Sequence, residues 1–442
     1  TPEGTKDFLF AECSAMDYIC TSIEKVFVKG GFKRVITPAL EFYDVFSIPS
    51  SGISQESMFK TTDNKGRLLV ARPDSTLPIA RMVSTRLKNN TLPVRLYYKQ
   101  AVYRNNPSLA GRRNEFLQMG VELLGAKGKR ADLEILTSAI KSISAVADDF
   151  RIELGHAEVF NALSKELDID NDYKEKIRVS IESKNYSALN NLLDKLKPCK
   201  TVSAIRSLPS LFGGEEVFKK AYVDGLNEES KNALDNLKRI YELLCLYGFE
   251  KYVSIDLGML ESIDYYTGSI FKCYTHGVGF PICAGGRYDN LMGQFGDNKG
   301  AVGAAIGINR LISVLSDKEV HDVSASLVFA EKNAEGIAYD IAYNLRVNGC
   351  LVEMYIGDGD YKAAEEYSKG KNIGAMLRVF PNGQLMINDF AKHEIIETTA
   401  NEFLGYYDES MMFDEHDHCG CGCDHDHEHE HHHDHCDCGH EH

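Results

Sequence analysis

Three long segments of this chain are rich in β-branched and aromatic residues, and they set narrow limits on its fold. They are VRLYYKQAVYR, NEFLQMGVELLG and, much later, IFKCYTHGVGFPICAGG. Residues of these types fit the pleated, half-buried surface of a β-sheet. The sequence therefore predicts an antiparallel sheet at the centre of the fold.

Helical segments accompany these strands. Residues 16–27 place apolar side chains at the i, i+3, i+4, i+7 spacing of an amphipathic helix, and two glycines then end it. Residues 131–147 have the same periodicity, and Ser75 or Thr76 can cap a third helix. The segment RVITPALEFYDVF has the composition of a strand, and Pro38 within it favours an edge or interface position. Together these patterns predict the α+β class.

The chain divides into regions of different character. Residues 1–320 form the predicted core, which is interrupted at about 156–248 by lysine-rich helical segments that indicate an insertion. Residues 325–396 alternate strand and helix, which predicts a small α/β domain. Residues 397–413 have the character of a linker, and residues 414–442 are of low complexity.

Composition excludes several classes of protein. The net charge is −16, but residues 414–442 hold ten acidic and no basic side chains, which leaves −6 for the rest. A mildly acidic body argues against nucleic acid as the main partner, and no run of 18 apolar residues predicts a membrane span. Seven scattered cysteines are typical of reduced thiols, and no secretory signal is visible. We therefore expect a cytoplasmic protein.

The predicted strands contain charged residues in unusual places. Gln118 and Glu122 lie four apart, so on a strand they point to the same face. Asp74 and Arg104 stand at the ends of apolar strands, and Arg287 follows two glycines and precedes a tyrosine. Such a set suits a small zwitterion, because carboxylates bind an ammonium group and arginine binds a carboxylate. The alternative is that this face simply contacts water.

Several consecutive motifs resemble those of class II histidyl-tRNA synthetases. GTKDF, TPALE, ARPDST, YYKQAVYR, GRRNEFLQMGVELLG, DYYTG, CAGGRYDNL and GAVGAAIGINRL occur in this order over residues 2–315. The resemblance implies a six- or seven-stranded antiparallel sheet flanked by helices. It also implies a homodimer formed through the first helix and the Pro38 strand.

Four positions depart from the synthetase pattern. Asn106 stands where the family has an acidic residue, and Asn114 and Glu115 replace residues that are usually arginine and glutamine. Glu261 replaces the arginine that is thought to stabilise negative charge when histidine is activated. An anion there would repel the developing charge, so the resemblance predicts a disabled adenylation site.

The histidine pocket of the family is better preserved. The resemblance assigns histidine binding to a set of seven residues: Asp74, Thr76, Arg104, Gln118, Glu122, Tyr266 and Tyr288. This combination resembles the synthetase-like regulatory subunits of ATP phosphoribosyltransferase, whose partner is a short catalytic subunit. It implies a non-catalytic chain that needs no cofactor, binds L-histidine and forms a homodimer core within a hetero-oligomer for feedback regulation. The regulatory histidine can instead lie at a subunit junction, and the alternative function is an active synthetase or histidine-activating ligase.

Two other regions resemble parts of the synthetases. Residues 325–396 resemble a degenerate anticodon-binding domain. GAVGAAIG lacks the context of a phosphate loop, so we expect its small residues to pack against a long core helix that ends near Leu315. Arg310 matches an ATP-phosphate ligand, with a surface salt bridge as the alternative. His156, His276, His321 and His393 are isolated, and we expect surface or core positions for them.

The last residues carry a different chemistry. Residues 416–442 contain 11 of the 15 histidines and five of the 12 cysteines. This density of imidazole, thiolate and carboxylate suits Zn²⁺ or Ni²⁺, although the spacing defines no single tetrahedral site. The alternative is an acidic tail that binds metal adventitiously. The candidate ligands are His416, His418, Cys419, Cys421, Cys423, His425, His427, Cys436 and Cys438.

Overall fold

The structure is a computed structural model in which two compact units are recognised, Thr1–His321 and Asp322–His442. The described residues are 1–48, 52–106, 113–222, 225–260, 266–296, 299–315, 325–390 and 392–410. Glu261 and the candidate metal ligands of the tail lie outside them. Within the described ranges, no helix is both long enough and apolar enough to cross a membrane.

A nine-stranded sheet is the centre of the first unit. In spatial order its strands are β1 (Lys33–Arg34), β5 (Val94–Tyr103), β6 (Glu115–Leu124), β12 (Ala301–Gly307), β11 (Cys283–Arg287), β10 (Ser269–Thr275), β7 (Phe150–His156), β9 (Val253–Asp256) and β8 (Phe212–Gly213). From β5 to β7 all neighbours are antiparallel, which confirms the predicted sheet. The expected strand number is wrong, because the short strands β1, β8 and β9 extend the edges and β1 and β9 pair in parallel.

Helices cover one face of this sheet. They are α1 (Ala11–Lys29), α4 (Lys129–Ser144) and α10 (Glu228–Leu246). Ile23 of α1, Ile135 of α4 and Leu237 of α10 belong to one buried cluster with Val121 of β6 and Phe271 of β10. Alternate strand residues thus bury their apolar side chains under the helices, which leaves the other set of residues for the opposite face. The first and second predicted helices are confirmed.

A smaller layer packs at one end of the opposite face. It contains α3 (Thr76–Arg86), α11 (Asp289–Gly293) and α2 (Tyr43–Phe46), together with a three-stranded sheet of β2 (Leu40–Phe42), β4 (Leu68–Ala71) and β3 (Lys60–Thr62). Phe46, Val70 and Leu77 form its core with Tyr98 of β5. RVITPALEFYDVF is therefore not one strand, because only its middle pairs with β4 and its end forms α2.

The predicted insertion is helical, as expected. Its helices before α10 are α5 (Ala157–Lys165), α6 (Asn171–Glu182), α7 (Tyr186–Leu193), α8 (Lys200–Ser207) and α9 (Glu216–Ala221). Strand β8 also lies within it and pairs with β9. Its two residues are too few to produce a periodic signal.

The second unit contains a five-stranded sheet with three helices. Its strands in spatial order are β14 (Val352–Met354), β13 (Ser326–Ala330), β15 (Ala375–Val379), β16 (Gln384–Asp389) and β17 (Glu394–Thr399), and its helices are α13 (Glu335–Val347), α14 (Tyr361–Gly370) and α15 (Ala400–Ser410). This confirms the α/β expectation. The linker expected at residues 397–413 is wrong up to residue 410, because Ala400 is buried and Phe403 packs on the same core.

Candidate functional site

Three glycines form the floor of a site on the sheet face opposite the helices. Glu122 of β6 lies directly across from Gly303 of β12. A Cβ atom at Gly303 would lie 1.8 Å from Glu122 Oε2, and one at Gly286 would lie 2.8 Å from the ring of Tyr266. The ring of Tyr98 covers Gly120 in the same way. Only glycine allows polar and aromatic side chains to lie this close to the sheet.

Glu122 is the centre of the site. Its side chain is only 2% exposed. Thr76 Oγ1 donates a hydrogen bond of 2.9 Å to Glu122 Oε1, and the Tyr288 hydroxyl donates to Oε2. Burial raises the pKa of Glu122 to about 8, and the charge of Asp74 also raises it, whereas the two hydrogen bonds oppose the rise. These surroundings therefore favour a neutral carboxyl at pH 7, and a bound cation would favour its ionised form.

Asp74 lies at the start of α3 beside this carboxyl. Its Oδ1 accepts a hydrogen bond of 3.2 Å from the Leu77 backbone N–H. Asp74 thus provides an acceptor for one of the N–H groups in the first turn of α3, which have no partner within the helix. Burial raises the pKa of Asp74, and the charge of Arg104 opposes this rise. The expected cap by Ser75 or Thr76 is wrong: the Gln100 amide donates to Ser75 Oγ, and the Thr76 hydroxyl donates to Glu122.

Gln118 lies two strand repeats before Glu122 on the same face, with Gly120 between them. The Tyr98 hydroxyl donates a hydrogen bond of 3.1 Å to Gln118 Oε1. Burial and the charges of Glu122 and Asp74 hold the pKa of Tyr98 well above its usual range. Sequence reasoning missed Tyr98, because its position across from Gly120 depends on the register of the strand pair.

Arg104 and Tyr266 border the site. Arg104 Nε donates a hydrogen bond of 2.9 Å to the Pro73 carbonyl, and its guanidinium lies 5.7 Å from the centre of the Phe116 ring. Arg104 therefore fixes the residue before Asp74. Tyr266 is half-buried, lies over Gly286 and packs against the buried cluster of Ala157, Met259 and Ile270.

Of the seven residues predicted to bind histidine, four interact with one another at the centre of the site and three lie at its border. Asp74, Thr76, Glu122 and Tyr288 are joined by hydrogen bonds or by direct electrostatic interaction. Gln118, Arg104 and Tyr266 stand at the border, where Gln118 and Arg104 have hydrogen-bond partners of their own. The alternative of a solvated face is wrong at Glu122, since this carboxyl is buried.

Asn106 has a structural role that an acidic residue cannot fulfil. Its Nδ2 donates hydrogen bonds to the carbonyls of Arg104, at 3.2 Å, and Arg113, at 3.0 Å. An ionised carboxylate has no proton to donate to these carbonyls. Asn114 Nδ2 donates to the Glu3 carbonyl, and Glu115 is exposed.

The other candidate residues have structural partners. Arg287 is buried, and its Nε donates a hydrogen bond of 2.8 Å to Asp132 Oδ1. Arg310 donates a hydrogen bond to the Pro281 carbonyl. His156 is buried as expected, accepts from the Glu158 N–H at the start of α5, and has its pKa lowered to about 4 by burial. Among the described cysteines, Cys20, Cys273 and Cys283 are buried.

The segment GAVGAAIG does not pack a long helix. It is strand β12, and the expected helix is only α12 (Ile308–Leu311), followed by a short 3₁₀ turn. The small residues are needed for the floor of the site, where Gly303 lies under the Glu122 carboxylate. Within the residues that the structure describes, no cluster of His, Cys, Asp and Glu could hold a metal ion.

Comparisons with known proteins agree with this architecture. A histidyl-tRNA synthetase from Nostoc sp. PCC 7120 superposes with a TM-score of 0.75 at 21% identity, covering 92% of this chain and 99% of that one. A Bacillus halodurans structure described as an ATP phosphoribosyltransferase regulatory subunit/histidyl-tRNA synthetase gives 0.77 at 29% identity, covering 86% and 98%. The histidyl-tRNA synthetase family model matches residues 4–311. The fold is that of the histidyl-tRNA synthetase class.

Curated relatives define the family further. The ATP phosphoribosyltransferase regulatory subunit of Clostridium kluyveri is 42% identical over 84% of this chain and 97% of its own length. The protein of the same name from Acetivibrio thermocellus is 38% identical over 91% of this chain and 98% of its own. This chain belongs to the family of ATP phosphoribosyltransferase regulatory subunits.

Proposed function

We propose that this chain is a non-catalytic regulatory subunit of ATP phosphoribosyltransferase. It binds L-histidine in the Glu122 site and conveys the bound state to a separate short catalytic subunit, which performs the first step of histidine biosynthesis. Such regulation is a coupling free energy between two sites, of about 1–3 kcal/mol in typical cases. It requires that histidine prefer one conformation of the assembly.

One observation carries the assignment of the ligand. Two carboxyl groups with raised pKa values, Asp74 and Glu122, adjoin each other on a glycine floor, with hydroxyl donors from Thr76 and Tyr288. A cationic amine or an imidazole N–H would supply the charge or the donor that these carboxyls lack. Arg104 at the border supplies the cation that a ligand carboxylate needs.

Adenylation chemistry is disfavoured by two sequence departures. Where the synthetases have an acidic residue, this chain has Asn106, whose side-chain amide donates hydrogen bonds to two backbone carbonyls. Glu261 places a negative charge in the sequence where the synthetases have a cation. An active histidyl-tRNA synthetase is the second candidate, supported by the family model. Histidine-dependent ATP–pyrophosphate exchange by the purified chain would establish it and contradict the regulatory assignment.

The assembly we propose has a homodimer at its centre. Val28 of α1 and Ile36 and Leu40 near Pro38 are exposed apolar side chains. Their burial against a second copy would remove apolar surface from water, which favours association. The catalytic subunits would then bind around this dimer.

Histidine binding is expected to strengthen as the pH rises. At pH 7 the carboxyl of Glu122, with a pKa of about 8, holds a proton that it must release to bind an ammonium group. We expect the affinity to increase about tenfold between about pH 7 and pH 8.5 and then to level off. Calorimetry in buffers of different ionisation enthalpy should detect the released proton. A constant affinity without proton release would contradict this role of Glu122.

The same pKa affects the stability of the free chain. The carboxyl ionises near 4.5 in an unfolded chain and near 8 in the folded one. Between these values the folded state holds the additional proton, so Glu122 makes the free chain less stable as the pH rises through this window. A ligand cation opposes this loss.

The tail is proposed to bind Zn²⁺ or Ni²⁺ without taking part in regulation. We expect a chain that lacks residues 414–442 to lose most of its bound metal and to support the catalytic subunit as well as the full chain does. Metal analysis of the purified proteins and growth of cells without histidine measure the two effects. Loss of growth on deletion would favour a metal-handling function instead.

A further inference from the structure

The segment Asp256–Leu260 lies buried between the sheet and the helical insertion. It follows β9, and Asp256 and Leu260 are each 2% exposed. The Leu257 N–H donates to the Leu211 carbonyl in the insertion, and a Cβ at Gly258 would lie 2.9 Å from Pro209. The segment includes Met259, and Tyr266 at the border of the proposed histidine site packs against the cluster to which Met259 belongs.

Lys184 holds the beginning of this segment. It comes just after α6, with a φ of 52°, and its Nζ lies 3.2 Å from Asp256 Oδ2. Asp256 Oδ1 accepts a hydrogen bond of 2.8 Å from the Gly258 N–H. The buried carboxylate thus joins the insertion to the turn that follows β9.

Arg178 contacts the end of the segment. This residue of α6 is 8% exposed, and its guanidinium is fixed by Glu175, at 2.7 Å, and Glu182, at 2.8 Å. Its Nη1 donates to the Leu260 carbonyl at 3.5 Å. Both carboxylates belong to α6 and orient the guanidinium. A shift of α6 would therefore move Arg178 Nη1 relative to the Leu260 carbonyl.

Met259 connects the segment to the site. It forms a small apolar cluster with Ala157 and Ile270, and Tyr266 packs against this cluster. Gly155 allows this approach, because its hypothetical Cβ would lie 2.8 Å from the Asp256 carbonyl and 3.3 Å from Met259 Cε. A shift of Met259 would therefore alter the support of the Tyr266 ring over Gly286.

We propose that the helical insertion positions the histidine site, with Arg178 and Lys184 as positioning residues that hold Asp256–Leu260 and, through Met259, Tyr266. This inference rests on the proposed function for the identity of the ligand. It gives the insertion a role in regulation, since any contact that moves α6 would change the affinity for histidine.

The test measures L-histidine affinity by calorimetry for wild type, Arg178→Gln and Arg178→Lys. We expect Arg178→Gln to weaken binding about tenfold and Arg178→Lys to restore part of the loss. Arg206→Gln is the matched control, because Arg206 also ties the insertion together, through Asp194 and Asn190. Its affinity should equal that of wild type.

A double-mutant cycle with Tyr266→Ala tests whether Arg178 affects histidine binding through Tyr266. If Arg178 acts through Tyr266, Arg178→Gln should cost little further affinity in the Tyr266→Ala background. Hydrogen exchange of residues 256–260 should be faster in Arg178→Gln than in Arg206→Gln. Equal affinity of wild type and Arg178→Gln, additive effects in the cycle, or unchanged exchange would overturn the positioning role. Absence of histidine binding by wild type would instead contradict the proposed function.

Discussion

Glu122→Gln is expected to weaken L-histidine binding by about 1–3 kcal/mol, because the variant cannot supply the negative charge that a ligand cation requires. In the free chain the substitution changes little, since burial keeps the Glu122 carboxyl largely neutral at pH 7. The amide can still accept from Thr76, which donates to Oε1 in the native chain. Calorimetric titration with L-histidine measures the loss.

Stability measurements separate this effect from misfolding. The variant should be at least as stable as wild type at pH 8.5, where the native carboxyl is forced to ionise in a buried position. Glu41→Gln is a suitable control, because Glu41 is also a buried carboxylate but pairs with Arg81. It should retain histidine affinity even if it loses stability. Unchanged affinity in a folded Glu122→Gln chain would remove Glu122 from the site.

Gly303→Ala is expected to abolish measurable histidine binding and to cost about 1–3 kcal/mol of folding free energy. The added methyl group would lie 1.8 Å from Glu122 Oε2 and 2.9 Å from the Val121 carbonyl. The carboxylate would have to leave its hydrogen bonds from Thr76 and Tyr288, and the backbone contact would remain strained. Calorimetry for binding and thermal unfolding for stability report the two effects separately.

Gly279→Ala is the matched control for this substitution. A Cβ at Gly279 would meet no atom within 4 Å, and this residue lies in the connection between β10 and β11. The control should bind histidine as wild type does. Native histidine affinity in Gly303→Ala would mean that the Glu122 carboxyl can move without weakening binding. That result would contradict the claim that glycine is required under this carboxyl.

The sequence was sufficient for the long elements of the fold. Strands β5 and β6 each have ten residues, and α1 has 19, so their apolar patterns are unmistakable. The edge strands β1 and β8 have two residues each and gain their stability from neighbours that are distant in the chain. No local pattern encodes such pairing, so sequence periodicity does not reveal these edge strands.

The site could be predicted only in part. Gln118 and Glu122 share a face by strand periodicity alone, but the two hydroxyl donors of Glu122 come from α3 and from the residue after β11. Tyr98 was missed because its importance depends on register across the sheet. The glycines of β12 were interpreted as a helix-packing segment for the same reason: the carboxylate above Gly303 belongs to another strand.

The proposed histidine site and Asn106 belong to separate hydrogen-bond networks. Glu122, Thr76 and Tyr288 form a network that depends on packing within the first unit. Among the described residues, Asn106 forms hydrogen bonds with Arg104, Arg113 and Asn114 and none with this network. A substitution at position 106 therefore need not disturb the pocket around Glu122. Adenylation activity can be lost in this way while ligand binding is kept.

The most direct measurement is phosphoribosyl transfer to ATP by a short catalytic subunit, assayed with and without this chain and with increasing L-histidine. Our account predicts that transfer depends on this chain and that L-histidine inhibits the complex, while the Glu122→Gln complex needs far more histidine for the same inhibition. Catalysis that is indifferent to the chain, or a chain that charges transfer RNA with histidine, would contradict it.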